Sequence, residues 1–262
     1  MALRHADPAT ARAAYEAAHV AVRAFLADLP TEVWGRPSVL AGWSVSDLGA
    51  HLVLVADSLT ALVPAPRSTR PIRLGAYVAT YPAAADVLAE RTRAAAGGPG
   101  RSVTGLLDAL DERFAEAVRT LDRLGPGDPV VTARRGPIRL GDFLASRVVE
   151  LVVHGDDLAR SLPDLDRPAL PPEAELLAVR VLLEALAERA PGRSLEVRVP
   201  PYAVVQCVPG PRHTRGTPPG VVETDPLTWL RLAAGRVGWG EAGGAVQASG
   251  ARADLSPYLP LF

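Results

Sequence analysis

The chain has no lysine, one cysteine and one methionine among its 262 residues. Arginine therefore carries all of the strong basic charge, a bias of the kind a GC-rich genome imposes and not itself a mark of function. The lone Cys207 excludes an internal disulfide framework and any cysteine-based zinc site. It lies between Val204-Val205 and Val208 in a strand-like run, where a thiol is a small inert hydrophobe rather than a nucleophile, so a thiol used in any reaction has to come from outside. No window reaches the roughly twenty apolar residues of a membrane span, and no basic start leads into an apolar run at the N-terminus. The expectation is a cytoplasmic protein with no membrane partner. A net charge of −1 provides no basic footprint for nucleic acid or an anionic surface. With 48% hydrophobic residues, the chain can build one large core or two ordinary ones.

What the sequence does contain is most informative at Arg147-Val148-Val149-Glu150-Leu151-Val152-Val153-His154-Gly155-Asp156-Asp157. Arg147, Glu150, His154 and Asp157 recur at spacings of three and four, which places them on one face of a helix. Their neighbours are apolar, so the polar stripe is predicted to point into an interior, where charge needs a partner. A carboxylate and an imidazole four residues apart can grip one divalent ion, although they can equally form a simple side-chain pair on a partly exposed helix. Two ligands are too few for a metal site.

The best candidate for a third is His51. Ser44 followed by Asp47 forms a capping box that starts a helix, and Leu48, Leu52, Val55 and Leu59 form its core-facing stripe with His51 on or beside it. A histidine on such a face is either a hydrogen-bonded core residue or a ligand, and both readings stand on this ground alone. The remaining histidines lie near the terminus (His5), in an Ala-rich amphipathic helix (His19) and in a Pro/Gly/Arg loop (His213).

Gly42-Trp43-Ser44-Val45, Asp47-Leu48 and His51-Leu52, followed about a hundred residues later by Arg147, Glu150, His154 and Asp157, resemble the mycothiol-dependent maleylpyruvate isomerase family of the DinB-like metalloenzymes. The run Thr224-Asp225-Pro226-Leu227-Thr228-Trp229-Leu230-Arg231-Leu232 to Gly235-Arg236, with Ala248-Ser249-Gly250 and Leu255, resembles that family's sterol-carrier-like second domain. The resemblance spans nearly the whole chain. It implies that His51, Glu150 and His154 ligate a divalent metal, usually zinc, with open positions for water, thiol or substrate, the layout of a catalytic site. It implies mycothiol as cofactor, a small electrophilic substrate as partner and an actinobacterial setting.

The same resemblance makes Asp157 a partner for His154, the alternative being a solvated residue near the helix end. Asp47, four residues before His51, is a further candidate to hold that imidazole, although the capping box already accounts for it. Arg147 either orients a substrate carboxylate or bridges to Glu150 or Asp142. Asp156 stands where the family commonly has an aromatic residue, which predicts a more polar wall beside His154. The second domain of the family helps to bind the thiol; Arg212, Arg215, Arg231 and Arg236 are candidate contacts, or else solvated surface cations.

Helices are predicted near 8–28, 44–63, 82–96, 102–124 and 139–161, punctuated by Pro64-Ala65-Pro66, Gly97-Gly98-Pro99-Gly100 and Gly125-Pro126-Gly127. This is a DinB-like four-helix bundle with additions, over residues 1–162, with a connection at 62–81 long enough to cross the bundle or lid its mouth. Residues 163–172 form a proline-rich linker. Residues 173–262 then form a small α+β sterol-carrier-like domain: a helix at 172–190, strands Leu195–Val199 and Ala203–Val208, and a helix opened by Asp225-Pro226 and closed by Gly235. The fold class is α+β, mainly α. Trp229 and Leu230, in step with Leu227 and Leu232, are predicted to be core.

The resulting expectation is a mycothiol-dependent isomerase or S-transferase in which a metal-bound thiolate attacks an electrophilic carbon. Expulsion of the thiol after rotation isomerises an activated alkene; retention makes it a transfer. Two alternatives are a metal-dependent hydrolase with no thiol cofactor and a non-catalytic small-molecule binding protein. Three protein ligands argue against a purely structural zinc, which is normally closed by four.

Overall fold

A computed structural model describes residues 6–96, 102–210 and 220–262. In chain order the elements are α1 (Pro8–Asp28), α2 (Val45–Thr60), β1 (Val63–Pro64), α3 (Leu74–Val78), α4 (Ala85–Ala96), α5 (Val103–Leu124), β2 (Val130–Ala133), β3 (Gly136–Arg139), α6 (Leu140–Ser161), α7 (Pro172–Arg189), β4 (Leu195–Val199), β5 (Ala203–Cys207), β6 (Gly220–Thr224), α8 (Pro226–Ala233) and β7 (Val246–Ser249). They fall into two compact units. One contains the described residues up to Ile72 and Ala83–Ala174; the other contains Arg73–Pro82 and Glu175–Phe262.

The first unit is a helical bundle. α1 packs along α6 and α2 along α5, with α2 also touching α4 and α6. The helix starts follow the local chemistry expected of them. Asp7 accepts from Thr10 N at 2.8 Å ahead of Pro8, and Ser102 Oγ accepts from Gly105 N. At α2 the capping box is complete: Asp47 N donates to Ser44 Oγ at 3.1 Å while Ser44 N donates to Asp47 Oδ2 at 2.8 Å. Gly125, at φ +76, ends α5 in the left-handed region open to glycine.

α6 is the interior helix, buried almost without break from Leu140 to Leu158. That burial explains how a helix can carry four polar residues on one stripe: the stripe is inside the bundle, not on its surface.

Two differences from the sequence expectation concern the connections. The helix predicted to reach 63 ends at Thr60, and Val63–Pro64 pair antiparallel with β2, which in turn pairs with β3 to form a three-stranded sheet at the entrance to α6. Ile72 N donates to Pro137 O at 2.7 Å, extending this attachment. The helix predicted from 82 starts at Ala85 after a short 3-10 turn. The glycine-rich stretch 97–100 lies outside the described residues.

In the second unit β4 is central, antiparallel to β5 and parallel to β6, with β7 antiparallel on β6. Leu195, Val197 and Val199 are buried while Glu196 and Arg198 alternate outward, so one face of the sheet is apolar. α8 begins with Asp225 accepting from Thr228 N at 3.0 Å, and it buries Trp229, Leu230 and Leu232 as core. α3 lies close on α7: a side chain added at Gly75 would meet Glu188 and the Ala185 backbone. Cys207 is fully buried and burial pushes its thiol up to about 12, as expected of an inert thiol. Among the described residues no helix is long and apolar enough to cross a membrane.

Candidate metal centre

α2 and α6 bring together residues that are 99 positions apart. His51 Nε2 lies 3.3 Å from Glu150 Oε2, and His154 Nε2 lies 3.3 Å from the same oxygen. The His51 and His154 rings meet edge to face with centroids 4.5 Å apart. Among the described residues this is the one cluster of three or more His, Cys, Asp or Glu side chains spaced to share a cation, its candidate ligand atoms lying within 4.8 Å of one another.

The spacing suits a small divalent ion. Zinc bonds of about 2.0–2.2 Å at tetrahedral angles put neighbouring donors about 3.3–3.6 Å apart, and the two separations, each 3.3 Å, fall at the short end of that range. Two imidazoles and one carboxylate form a borderline donor set of the type used by catalytic zinc and related metals.

Each α6 member of the cluster has a neighbour on its own stripe. His154 Nδ1 lies 2.9 Å from Asp157 Oδ2, and Asp157 is fully buried. With its proton on Nδ1, the imidazole donates to that carboxylate and leaves Nε2 as a lone pair directed at the cluster. Arg147, itself buried, places NH2 3.6 Å from Glu150 Oε1, while its Nε donates to Ser146 Oγ and its guanidinium lies 5.0 Å from the centre of the Phe143 ring. Arg147 is thus within ion-pair distance of Glu150. Asp142 accepts from Ala6 N at 3.0 Å.

The electrostatics are those of a buried cluster whose members offset one another's burial. Burial would raise the Glu150 carboxyl, but hydrogen bonds from His154 and His51 and the Arg147 charge outweigh it and hold Glu150 well below the usual range. Burial would lower His154, but Asp157 and Glu150 together raise it. His51, with no such carboxylate of its own, is lowered by burial and then by the neighbouring His154.

Asp47 is engaged by Ser44 N and Ser44 Oγ in its cap. Asp156 is buried, yet it is two positions from His154 and so projects from the other side of α6; the polar wall predicted beside His154 finds no support in that geometry. His19 is apart from the cluster, stacked on Phe114 at 3.8 Å. In the second unit Arg236 donates to Ala234 O at 2.9 Å and Arg231 is half-buried. Arg212, Arg215, His213 and His5 lie outside the described residues. The residue the sequence reading gave no role is Trp43, whose ring meets His51 edge-on at 5.6 Å. Its place one residue before the Ser44 cap was the available signal.

The sequence profile of the mycothiol maleylpyruvate isomerase N-terminal domain matches residues 15–159, more than half of the chain and inclusive of the whole cluster. The chain belongs to the mycothiol maleylpyruvate isomerase family. This is a family of mycothiol-dependent enzymes. A second profile, described as a bacterial SCP ortholog, matches residues 173–261, in agreement with the sterol-carrier-like reading of the C-terminal part. Two crystal structures of a mycothiol-dependent maleylpyruvate isomerase, one of them a histidine-to-alanine mutant, are similar to the chain with a TM-score of 0.55 and 18% identity, covering 93% of this chain and 91% of the other. At that identity the likeness is one of fold. No curated protein sequence matches the chain.

Proposed function

We propose that this member of the maleylpyruvate isomerase family is a metal-dependent, mycothiol-using isomerase or S-transferase acting on a small electrophilic metabolite, with His51, Glu150 and His154 as the metal ligands and zinc as the metal. The observation that carries this reading is the convergence of two imidazole Nε2 atoms on one carboxylate oxygen, each at 3.3 Å, inside an otherwise apolar bundle. Three ligands from the protein leave a position open, as catalytic zinc sites do.

When bound, the ion supplies Lewis acidity that keeps a thiol ionised near neutral pH, and the thiol supplies a soft nucleophile for reversible addition to an activated alkene. Everything else falls to the chain. Asp157 selects the His154 tautomer that presents Nε2, and it fixes the ring against rotation. Arg147 occupies Glu150 Oε1 and so leaves Oε2 for the shared centre. The burial of α2 and α6 around the cluster excludes bulk water, which strengthens each of these interactions and disfavours hydrolysis of a reactive substrate.

Elemental analysis of the purified protein beside His51→Ala and Glu150→Ala tests the reading, with thermal stability recorded with and without mycothiol. About one metal per chain, lost in both variants, with a rise in melting temperature on adding the thiol, is the expected result. Metal without that rise points to hydrolysis by the same centre; absence of metal overturns the ligand assignment.

A further inference from the structure

The two imidazoles of the cluster are held in different ways. His154 has Asp157 on its remote nitrogen at 2.9 Å. The corresponding atom of His51, Nδ1, is buried and has no hydrogen-bond partner among the described residues. A metal-ligating histidine almost always donates its second ring N–H to a carboxylate, carbonyl or water, because the torsion that turns the ring is otherwise soft. Two aromatic rings lie against His51: the Trp43 indole, T-shaped to it at 5.6 Å and 66°, and the His154 ring at 4.5 Å and 75°.

We propose that Trp43 is the positioning residue for His51, fixing by packing the ring orientation that a hydrogen bond fixes for His154. The inference rests on the reading of His51, Glu150 and His154 as metal ligands.

Trp43 is suited to this because its own backbone is held on both sides. Trp43 N donates to Leu40 O at 3.0 Å, and Ser38 N donates to Trp43 O at 2.7 Å. Pro37 and Ser44 form an antiparallel bridge across the loop, and Gly42 turns it at φ +76, a conformation that favours glycine. Val45 N donates to Arg36 O and Ser46 N to Trp34 O, so the loop is stitched to the start of α2. The next residue, Ser44, caps the helix that carries His51. Indole and imidazole are thus carried by one hydrogen-bonded segment of backbone, and a tilted contact between such rings is a favoured aromatic geometry.

The test is cobalt binding by the full chain, with the dissociation constant obtained by competition against a chromogenic chelator and the coordination geometry read from the visible absorption of the bound Co2+. Trp43→Leu removes the aromatic edge and Trp43→Phe retains one. The expected result is that Trp43→Leu weakens cobalt binding by about tenfold or more and alters the absorption bands, while Trp43→Phe stays within about threefold of wild type with unaltered bands. Wild-type affinity and bands in a folded Trp43→Leu overturn the inference. Failure of the wild-type protein to bind cobalt overturns the metal-site reading instead, so the two failures are distinguishable.

A second measurement covers the case in which Trp43→Leu does not fold. In the zinc-loaded wild-type protein, nitrogen-15 spectra of the histidines distinguish a hydrogen-bonded ring N–H from a free one. A His51 Nδ1–H without the downfield shift of a hydrogen bond, beside a shifted His154 Nδ1–H, is expected. A hydrogen-bonded His51 Nδ1–H would show the ring tethered by another group and overturn the role of Trp43.

Discussion

His154 Nδ1 and Asp157 Oδ2 are 2.9 Å apart, one turn of α6 from each other, with the carboxylate wholly removed from solvent. A buried carboxylate that accepts from the far side of an imidazole fixes the tautomer and raises the basicity of the near side. Asp157→Asn keeps the shape but allows the amide to present a donor where an acceptor is needed. Metal affinity, measured by chelator competition, is expected to fall by about 10–100-fold while far-UV circular dichroism is unchanged. Unaltered affinity would reduce Asp157 to a helix-packing residue.

Arg147 and Glu150 form a buried pair whose two partners have separate consequences. Removing the cation leaves a carboxylate in the interior with less compensation, and breaking a buried pair in this way costs about 3 kcal/mol. Arg147→Met is therefore expected to lose both melting temperature and metal content. The competing role, orientation of a substrate carboxylate, predicts a raised KM with metal content intact, and the two measurements together decide between them.

His19 sets an acid limit on the helical unit. Its ring lies flat on Phe114, is buried, and burial lowers its pKa to about 4. A folded-state pKa below the unfolded value means that the stability contribution is complete above about 6.5 and is lost as pH falls toward the folded value. By pH 5 the loss comes to about 2 kcal/mol. His19→Phe keeps the stacking and removes the titration. Its melting temperature should exceed that of wild type at pH 5 by more than it does at pH 7.5, and parallel pH profiles would show that His19 is not the group responsible.

Cys207 is expected to be silent in the native protein. Fully buried, with its thiol pushed up to about 12, it presents almost no thiolate at neutral pH. An aromatic disulfide reagent should label it only after denaturation, and Cys207→Ala should retain full thiol-dependent turnover. Rapid labelling of the folded chain, with parallel loss of activity, would make it a participant.

The longer helices were legible in the sequence because each announces itself locally. The Ser44–Asp47 box, the Asp225-Pro226 start and the apolar stripes at three- and four-residue spacing all depend on residues within one or two turns of each other. The Glu150–His154–Asp157 stripe was legible for the same reason, since its spacing lies within a single helix. Strands β1, β2 and β3 were not: a two-residue strand such as Val63–Pro64 carries no period of its own and exists only because β2 offers it partners. Residues 73–82, legible only as a connection, acquire their place from contacts with α7, more than a hundred positions away.

Composition and local pattern by themselves determined a chain without internal thiol chemistry, built of capped amphipathic helices with an α+β tail, and carrying His51 and the α6 stripe as polar residues on apolar faces. Only the tertiary structure decided that the His51 imidazole and the Glu150 carboxylate meet at 3.3 Å, that Arg147 lies 3.6 Å from Glu150, and that the Trp43 ring lies against His51, whose buried Nδ1 has no hydrogen-bond partner among the described residues. The reason is range. Capping and periodicity are short-range effects fixed by neighbours in sequence, whereas the distance between α2 and α6 is set by how two buried helix faces pack, a property of the whole core.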